Sequence, residues 1–318
     1  MTKELDNYLN KIGVDKKESE QLSGGERADY LKKIYAAHVT TFPYHNFKLR
    51  ENSLQHPVIR RSLTLFDYRK LLSSQHGGYC YQSAKLLSNM LQELGFTVAC
   101  CPAKVLNGLP YNAEKIKALP PTHVVLLVYL EDKRYFLDPG LGSRCPRFPI
   151  QVTGTGDVIQ QQRDRFRLYP NEEGFYILEK WQKDNWITLV QSQLQPIDDK
   201  KLQSNLLKLE RYPLPIPIRD HKVVASLLTN SGSKSLYWDA NTETFVLAVE
   251  QDGRFNKTTL ADFTKARNKL VSEFNITHIE VNALKRFCYP KPLPLPAEPW
   301  TVELPLDQNE MTRLSRFL

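Results

Sequence analysis

Residues 122–142 read THVVLLVYLEDKRYFLDPGLG, two apolar runs joined by the polar pair Glu131–Asp132. Runs rich in Val, Leu, Tyr and Phe around a short turn predict an antiparallel hairpin. With the turn centred on Glu131 and Asp132, Asp138 falls opposite Val125, on the same sheet face as His123 and two residues along. Diagonal neighbours of this kind lie roughly 7–8 Å apart at the backbone, within side-chain reach. A carboxylate at one strand end and an imidazole at the start of its neighbour make a candidate orienter and base. Taken singly, a histidine at a strand start is more often a packed structural residue, and LDPG is a common turn opener.

A thiol upstream changes those odds. Residues 75–95, QHGGYCYQSAKLLSNMLQELG, place Gly77 and Gly78 just before Cys80. Ala84, Leu87, Met90, Leu91 and Leu94 then recur at helical intervals, and Gly95 is a stop signal. Cys80 is therefore expected in the first turn of an amphipathic helix. The positive end of the helix dipole there stabilises a thiolate. The two glycines let the backbone turn tightly and keep the approach to sulfur open. Backbone N–H groups near Cys80 and Tyr81 are candidate donors to an oxyanion.

The remaining composition narrows the function. The chain has 318 residues, long enough for two or three subdomains. No apolar run reaches the roughly 20 residues of a membrane span. The start MTKELDNYLNKIGV lacks the apolar core of an export signal. Five cysteines, at 80, 100, 101, 145 and 288, contain no CxxC pair, which argues against a zinc site or a disulfide framework and fits a reducing cytoplasm. The net charge of +8 is spread through short mixed stretches such as RR at 60–61, RDRFR at 163–167 and DKK at 199–201. Nucleic-acid binding needs such charges clustered. A small polyanionic ligand suits the excess better, and the oligomeric state is left open.

Along the chain, residues 1–95 read as a helical domain carrying the nucleophile, including ERADYLKKIYAAHVTTF. Residues 96–205 read as short strands, with a second hairpin in GFYILEKWQKDNWITLV. Residues 206–318 mix strands at SLYWDA and TFVLAVE with a helix in TLADFTKARNKLVSEF, capped by Thr258 or Thr259. A proline-rich arm follows, with Pro290, Pro292, Pro294, Pro296 and Pro299.

Several of these segments resemble the arylamine N-acetyltransferases. HGGYCYQ is similar to that family's RGGxCxE segment, and residues 122–142 to its histidine strand and aspartate turn. AHVTTFPYHNFKL is similar to its early stretch ending in a PFEN-type motif, while RFRLYPNEEGFYIL and KLVSEFNI match segments of its barrel and C-terminal part. The resemblance implies an α+β fold: a helical N-terminal domain, an antiparallel β-barrel and an α/β lid on a papain-like core. It also implies a triad of Cys80, His123 and Asp138, and acetyl-CoA or another short acyl-CoA as donor to an arylamine or hydrazine, with no metal. Tyr44, Gly140 and Gly142 are the positions expected near CoA, the two glycines by leaving it room. Phe47, Tyr81 and Leu141 are those expected to line the acceptor pocket.

Three departures bear on acceptor choice. The motif's Arg and Glu are His76 and Gln82, the PFEN acid is His45, and the aromatic of the family's DxGFG segment is Leu141. Two other readings stay open. A transglutaminase-like thiol acyltransferase or hydrolase shares the Cys…His…Asp order; papain spacing, with His roughly 130–150 residues after Cys, is excluded by the 43 positions between Cys80 and His123. A non-catalytic CoA or small-molecule binder on the same fold is the other.

Overall fold

The computed structural model describes residues 3–17, 21–55, 62–74, 77–106, 108–110, 114–212 and 216–290. His76, the Arg60–Arg61 pair and the proline-rich run beyond Pro290 lie outside the described residues.

The N-terminal third is helical: α1 (Lys3–Ile12), α2 (Gly24–Thr41), α3 (Phe47–Ser53), α4 (Arg69–Ser74) and α5 (Cys80–Glu93), with a short strand β1 (Tyr44–His45) between α2 and α3. A capping box starts α2, Ser23 accepting from the Glu26 N–H and Glu26 from the Ser23 N–H. At α5 the N-cap is Tyr79, whose side chain cannot cap; Gln82 closes the turn instead, its Oε1 accepting from the Tyr79 N–H at 3.3 Å. So the neutral Gln82, in place of a glutamate, still satisfies the helix start. Gly95 follows the helix with φ +83°, as a stop signal should. The expected amphipathic face is corrected, because every residue from Cys80 to Ser88 is buried. On the polar side of α5, Lys85 reaches the start of α7 (Asp199–Arg211), where Asp199 holds its ammonium with both oxygens at 2.7 Å.

The middle third forms an eight-stranded antiparallel sheet curling into a nearly closed barrel. Its strands are β2 (Thr97–Val105), β3 (His123–Leu130), β4 (Lys133–Leu137), β5 (Ile150–Gln151), β6 (Ile159–Gln161), β7 (Asp164–Pro170), β8 (Tyr176–Gln182) and β9 (Asn185–Ser192), in the order β5-β4-β3-β2-β9-β8-β7-β6. Helix α6 (Glu114–Ala118) lies between β2 and β3. Both expected hairpins form, and in the first Leu126 pairs with Leu137, the register anticipated from the turn. Strand β3 explains its own unbroken apolar run: Val124, Leu126 and Val128 pack on the helices, while Val125 and Leu127 fill the barrel.

The C-terminal third contains α8 (Pro217–Asp220), β10 (Val224–Thr229), β11 (Gly232–Asp239), β12 (Thr244–Gln251), β13 (Arg254–Leu260), α9 (Phe263–Phe274) and α10 (Val281–Cys288). Three sequence expectations are corrected here. Helix α7 runs unbroken through the 205/206 boundary, and its Leu202, Leu206 and Leu209 join the helical core. Strand β1, from the helical third, is the edge of the C-terminal sheet, ordered β1-β10-β11-β12-β13. The cap of α9 is Asp262, which accepts from the Lys265 N–H at 2.7 Å; Thr258 and Thr259 are still paired in β13.

Candidate active site

Three element ends meet at one point. Helix α5 begins at Cys80, β3 begins at His123, and β4 stops one residue before Asp138. The His123 ring sits between the other two side chains. Its Nε2 is 2.9 Å from both Asp138 oxygens, and the ring lies beside Cys80, both within 3 Å of the point where a Cβ on Gly140 would stand. Because Nε2 faces the carboxylate, Nδ1 is the nitrogen left for sulfur. The Cys80 Sγ lies 3.9 Å from the Thr122 carbonyl oxygen.

Asp138 is held on several sides. Its Oδ1 accepts from the Gly140 N–H at 3.0 Å, and the Tyr35 hydroxyl donates to its carbonyl at 3.0 Å while accepting from its N–H at 3.3 Å. His123 and Asp138 are both fully buried. Burial works against a charged imidazole, but the Asp138 carboxylate and the Cys80 sulfur outweigh it and push the pKa of His123 up to about 10. An imidazole held protonated beside a thiol is the arrangement that supports an imidazolium–thiolate pair.

The other expected site residues divide. Tyr44 is half-buried in β1; burial first, and then the nearby Cys80 sulfur, hold its phenol well above the usual tyrosine range. Leu141 is half-buried and packs between the helical and barrel cores. Phe47 is corrected to a core residue of the C-terminal layer, stacked on His45 at 4.9 Å and Phe287 at 6.0 Å. Tyr81 is likewise buried in the helical core, its hydroxyl on the Pro121 carbonyl at 3.3 Å. The glycines stand in close contact with neighbouring protein atoms. A Cβ on Gly140 would fall 2.6 Å from the Cys80 Cβ, one on Gly142 2.0 Å from the Ser226 Oγ, and one on Gly77 1.8 Å from the Pro43 carbonyl oxygen. Close packing against the protein by itself requires glycine at all three positions.

Tyr35, His38 and Ser83 bear on the site and were missed in the sequence. Tyr35 touches a residue 103 positions away, a contact that no local pattern announces. A cleft of about 380 Å³ lined by Ala36, Thr40, Phe148 and Leu228 contains none of Cys80, His123 and Asp138. Among the described residues no helix is long and apolar enough to cross a membrane, and no group of three or more His, Cys, Asp or Glu is placed to hold a metal.

The chain matches a family described as N-acetyltransferase over residues 28–282. An arylamine N-acetyltransferase of Mycobacterium bovis is 29% identical over 259 residues, covering 80% of this chain and 84% of the relative. The solved structure of Mycobacterium marinum arylamine N-acetyltransferase in complex with CoA aligns with a TM-score of 0.72 at 22% identity, over 89% of this chain and 98% of that one. An arylamine N-acetyltransferase from Bacillus cereus, described as having a Cys-His-Glu catalytic triad, aligns at 0.68 with 23% identity, over 87% and 100%.

Proposed function

The chain belongs to the arylamine N-acetyltransferase family, and from that premise we propose that Cys80 accepts an acetyl or other short acyl group from acyl-CoA and passes it to an arylamine or hydrazine. The observation that carries the reading is the position of His123, 2.9 Å from both Asp138 oxygens and beside Cys80, the first residue of α5.

The chemistry follows in two half-reactions. His123 takes the Cys80 proton, and Asp138 stabilises the imidazolium and fixes which nitrogen faces sulfur. The thiolate attacks the acyl carbonyl; as the C–S bond to CoA breaks, the departing sulfur takes the proton from His123. Neutral His123 then receives a proton from the attacking amine while the Cys80 thioester breaks, which leaves the amide and regenerates the thiolate–imidazolium pair. First-turn N–H groups near Cys80 and Tyr81 are the donors assigned to the oxyanion. The Bacillus cereus relative carries Glu as its third residue; Asp138 offers the same charge on a shorter stem. Tyr44 and Leu141, both half-buried, are the expected residues left to shape the entrance.

Two-substrate kinetics test the order. Parallel double-reciprocal lines, with transfer lost in Cys80→Ala, are expected. Intersecting lines with a still active Cys80→Ala would overturn the proposal. Acyl-CoA consumption at the same rate without amine would mean a thiol hydrolase instead.

A further inference from the structure

Behind the three site residues, side chains from α1, α2 and α5 line up in a buried row. The Tyr8 hydroxyl is 3.1 Å from His38 Nδ1, His38 Nε2 is 2.9 Å from Ser83 Oγ, and Ser83 Oγ is 3.3 Å from the Pro139 carbonyl oxygen. All three side chains are buried. The direction of each bond follows from the last one. A carbonyl oxygen only accepts, so Ser83 gives its single proton to Pro139. Ser83 must then accept from His38, which places the ring proton on Nε2. A neutral imidazole has one N–H, so Nδ1 accepts from Tyr8. Burial favours that neutral form and pulls the pKa of His38 down to about 3.

The row ends on the site's carboxylate. The Pro139 carbonyl and the Gly140 N–H belong to one peptide group, and that N–H donates to Asp138 Oδ1 at 3.0 Å. A hydrogen bond received at the carbonyl polarises the amide and strengthens its N–H as a donor. Ser83 also lies three residues after Cys80, one turn further along α5. The helix that presents the sulfur thus clamps the turn that presents the carboxylate.

We propose that Tyr8, His38 and Ser83 are positioning residues: a one-way hydrogen-bond relay that fixes the Pro139–Gly140 peptide so that its N–H keeps the Asp138 carboxylate aimed at His123. The proposal rests on the reading of Cys80, His123 and Asp138 as the catalytic triad. Without the Ser83 hydroxyl, the Pro139 carbonyl and the His38 N–H are buried without their partner, and the polarisation of the peptide is lost.

Ser83→Ala, Tyr8→Phe and the double variant test it by three readouts: the rate of Cys80 alkylation by iodoacetamide, the kcat and KM of transfer, and the far-downfield proton resonance between His123 and Asp138. In the wild type, Cys80 should be the fastest thiol; if another cysteine is, the triad reading fails and the relay falls with it. Given that result, Ser83→Ala should slow alkylation and kcat roughly three- to tenfold, the worth of one ordinary hydrogen bond, with the KM for acyl-CoA unchanged and the resonance displaced. Tyr8→Phe should shift the same readouts less and add nothing to Ser83→Ala, since both interrupt one chain. Ser83→Thr, which keeps the hydroxyl, should restore the resonance. An unmoved resonance with wild-type alkylation in folded Ser83→Ala overturns the relay, as do fully additive losses in the double variant. Should Ser83→Ala not fold, the isosteric Tyr8→Phe decides on the same criteria.

Discussion

Replacing Gly140 with alanine tests the site's geometry through a single methyl group. The added Cβ would lie 2.6 Å from the Cys80 Cβ, 2.8 Å from His123 Cε1 and 2.9 Å from the Cys80 Cα. Non-bonded carbons settle at about 3.5–4.0 Å, so the shortfall is about 1 Å. None of the three atoms is the loose end of a side chain. Two belong to the first residue of α5, and the third belongs to a ring clamped by Asp138. Either that helix turn or the turn after β4 must therefore move by about 1 Å. Displacement of that size between reacting groups costs on the order of 100-fold in rate. The stability loss is smaller: overpacking costs about 1–3 kcal/mol, and removing glycine's freedom in the unfolded chain offsets about 0.4–1 kcal/mol of it. Gly25, in α2, is the control, because a Cβ there meets nothing within 4 Å; Gly25→Ala should be neutral or stabilising by up to about 1 kcal/mol. Steady-state kcat/KM, thermal melts and Cys80 alkylation read the three effects. A folded Gly140→Ala within threefold of wild-type kcat/KM would refute the reasoning.

Other perturbations separate the remaining parts. Arg147 in the barrel bonds Asp164 at 2.8 Å and donates to the Thr229 and Gly232 carbonyls of the C-terminal sheet at 2.7 and 2.8 Å; Arg147→Ala leaves Asp164 paired with Lys180 at 2.7 Å but strips both carbonyls of their donor, so it should cost about 1–3 kcal/mol and speed hydrogen exchange in β10 and β11, and a urea-melt loss below about 0.5 kcal/mol would contradict the role. His38, held neutral down to about pH 3 where the unfolded residue titrates near 6.5, contributes stability that is present above pH 6.5 and lost as pH falls toward 3. The loss approaches about 1.4 kcal/mol per pH unit, and His38→Gln should flatten that acid limb in melts at pH 4 and 7. His123 has the opposite sign, its contribution being complete below pH 6.5 and lost as pH rises through about 10. Leu141→Phe should improve kcat/KM for simple anilines by roughly three- to tenfold through ring stacking and worsen it for bulky amines, leaving the acyl-donor half-reaction unchanged; an unaltered acceptor ranking would remove Leu141 from the pocket.

Much of the site was legible because it is written in local patterns. The two-residue turn at Glu131–Asp132 fixes the register that carries Asp138 back toward His123, and Gly95 marks the end of the helix that Cys80 begins. What was not legible depends on contacts between distant segments. Phe47 read as a pocket aromatic because nothing nearby in sequence shows that β1 crosses to the C-terminal sheet and carries it into that core. Tyr81 reads the same way because the spacing of α5 is that of a one-faced helix, whereas every residue from Cys80 to Ser88 is buried. The cap of α9 was misplaced by the threonines Thr258 and Thr259, whose β-branched side chains suit the strand they occupy. Gly140 reads as a glycine that leaves room for CoA, because nothing local shows that Cys80 and His123 press against it.

The central claim is that acyl transfer passes through Cys80. Its most direct measurement is the intact mass of the protein after incubation with acetyl-CoA and no amine, followed by peptide mapping. A gain of one acetyl group on the peptide containing Cys80, absent in Cys80→Ala and discharged when an arylamine is added, is the expected result. Longer acyl-CoAs run in parallel identify the donor. An adduct on Cys100, Cys145 or Cys288, or full turnover by Cys80→Ala, would contradict the claim.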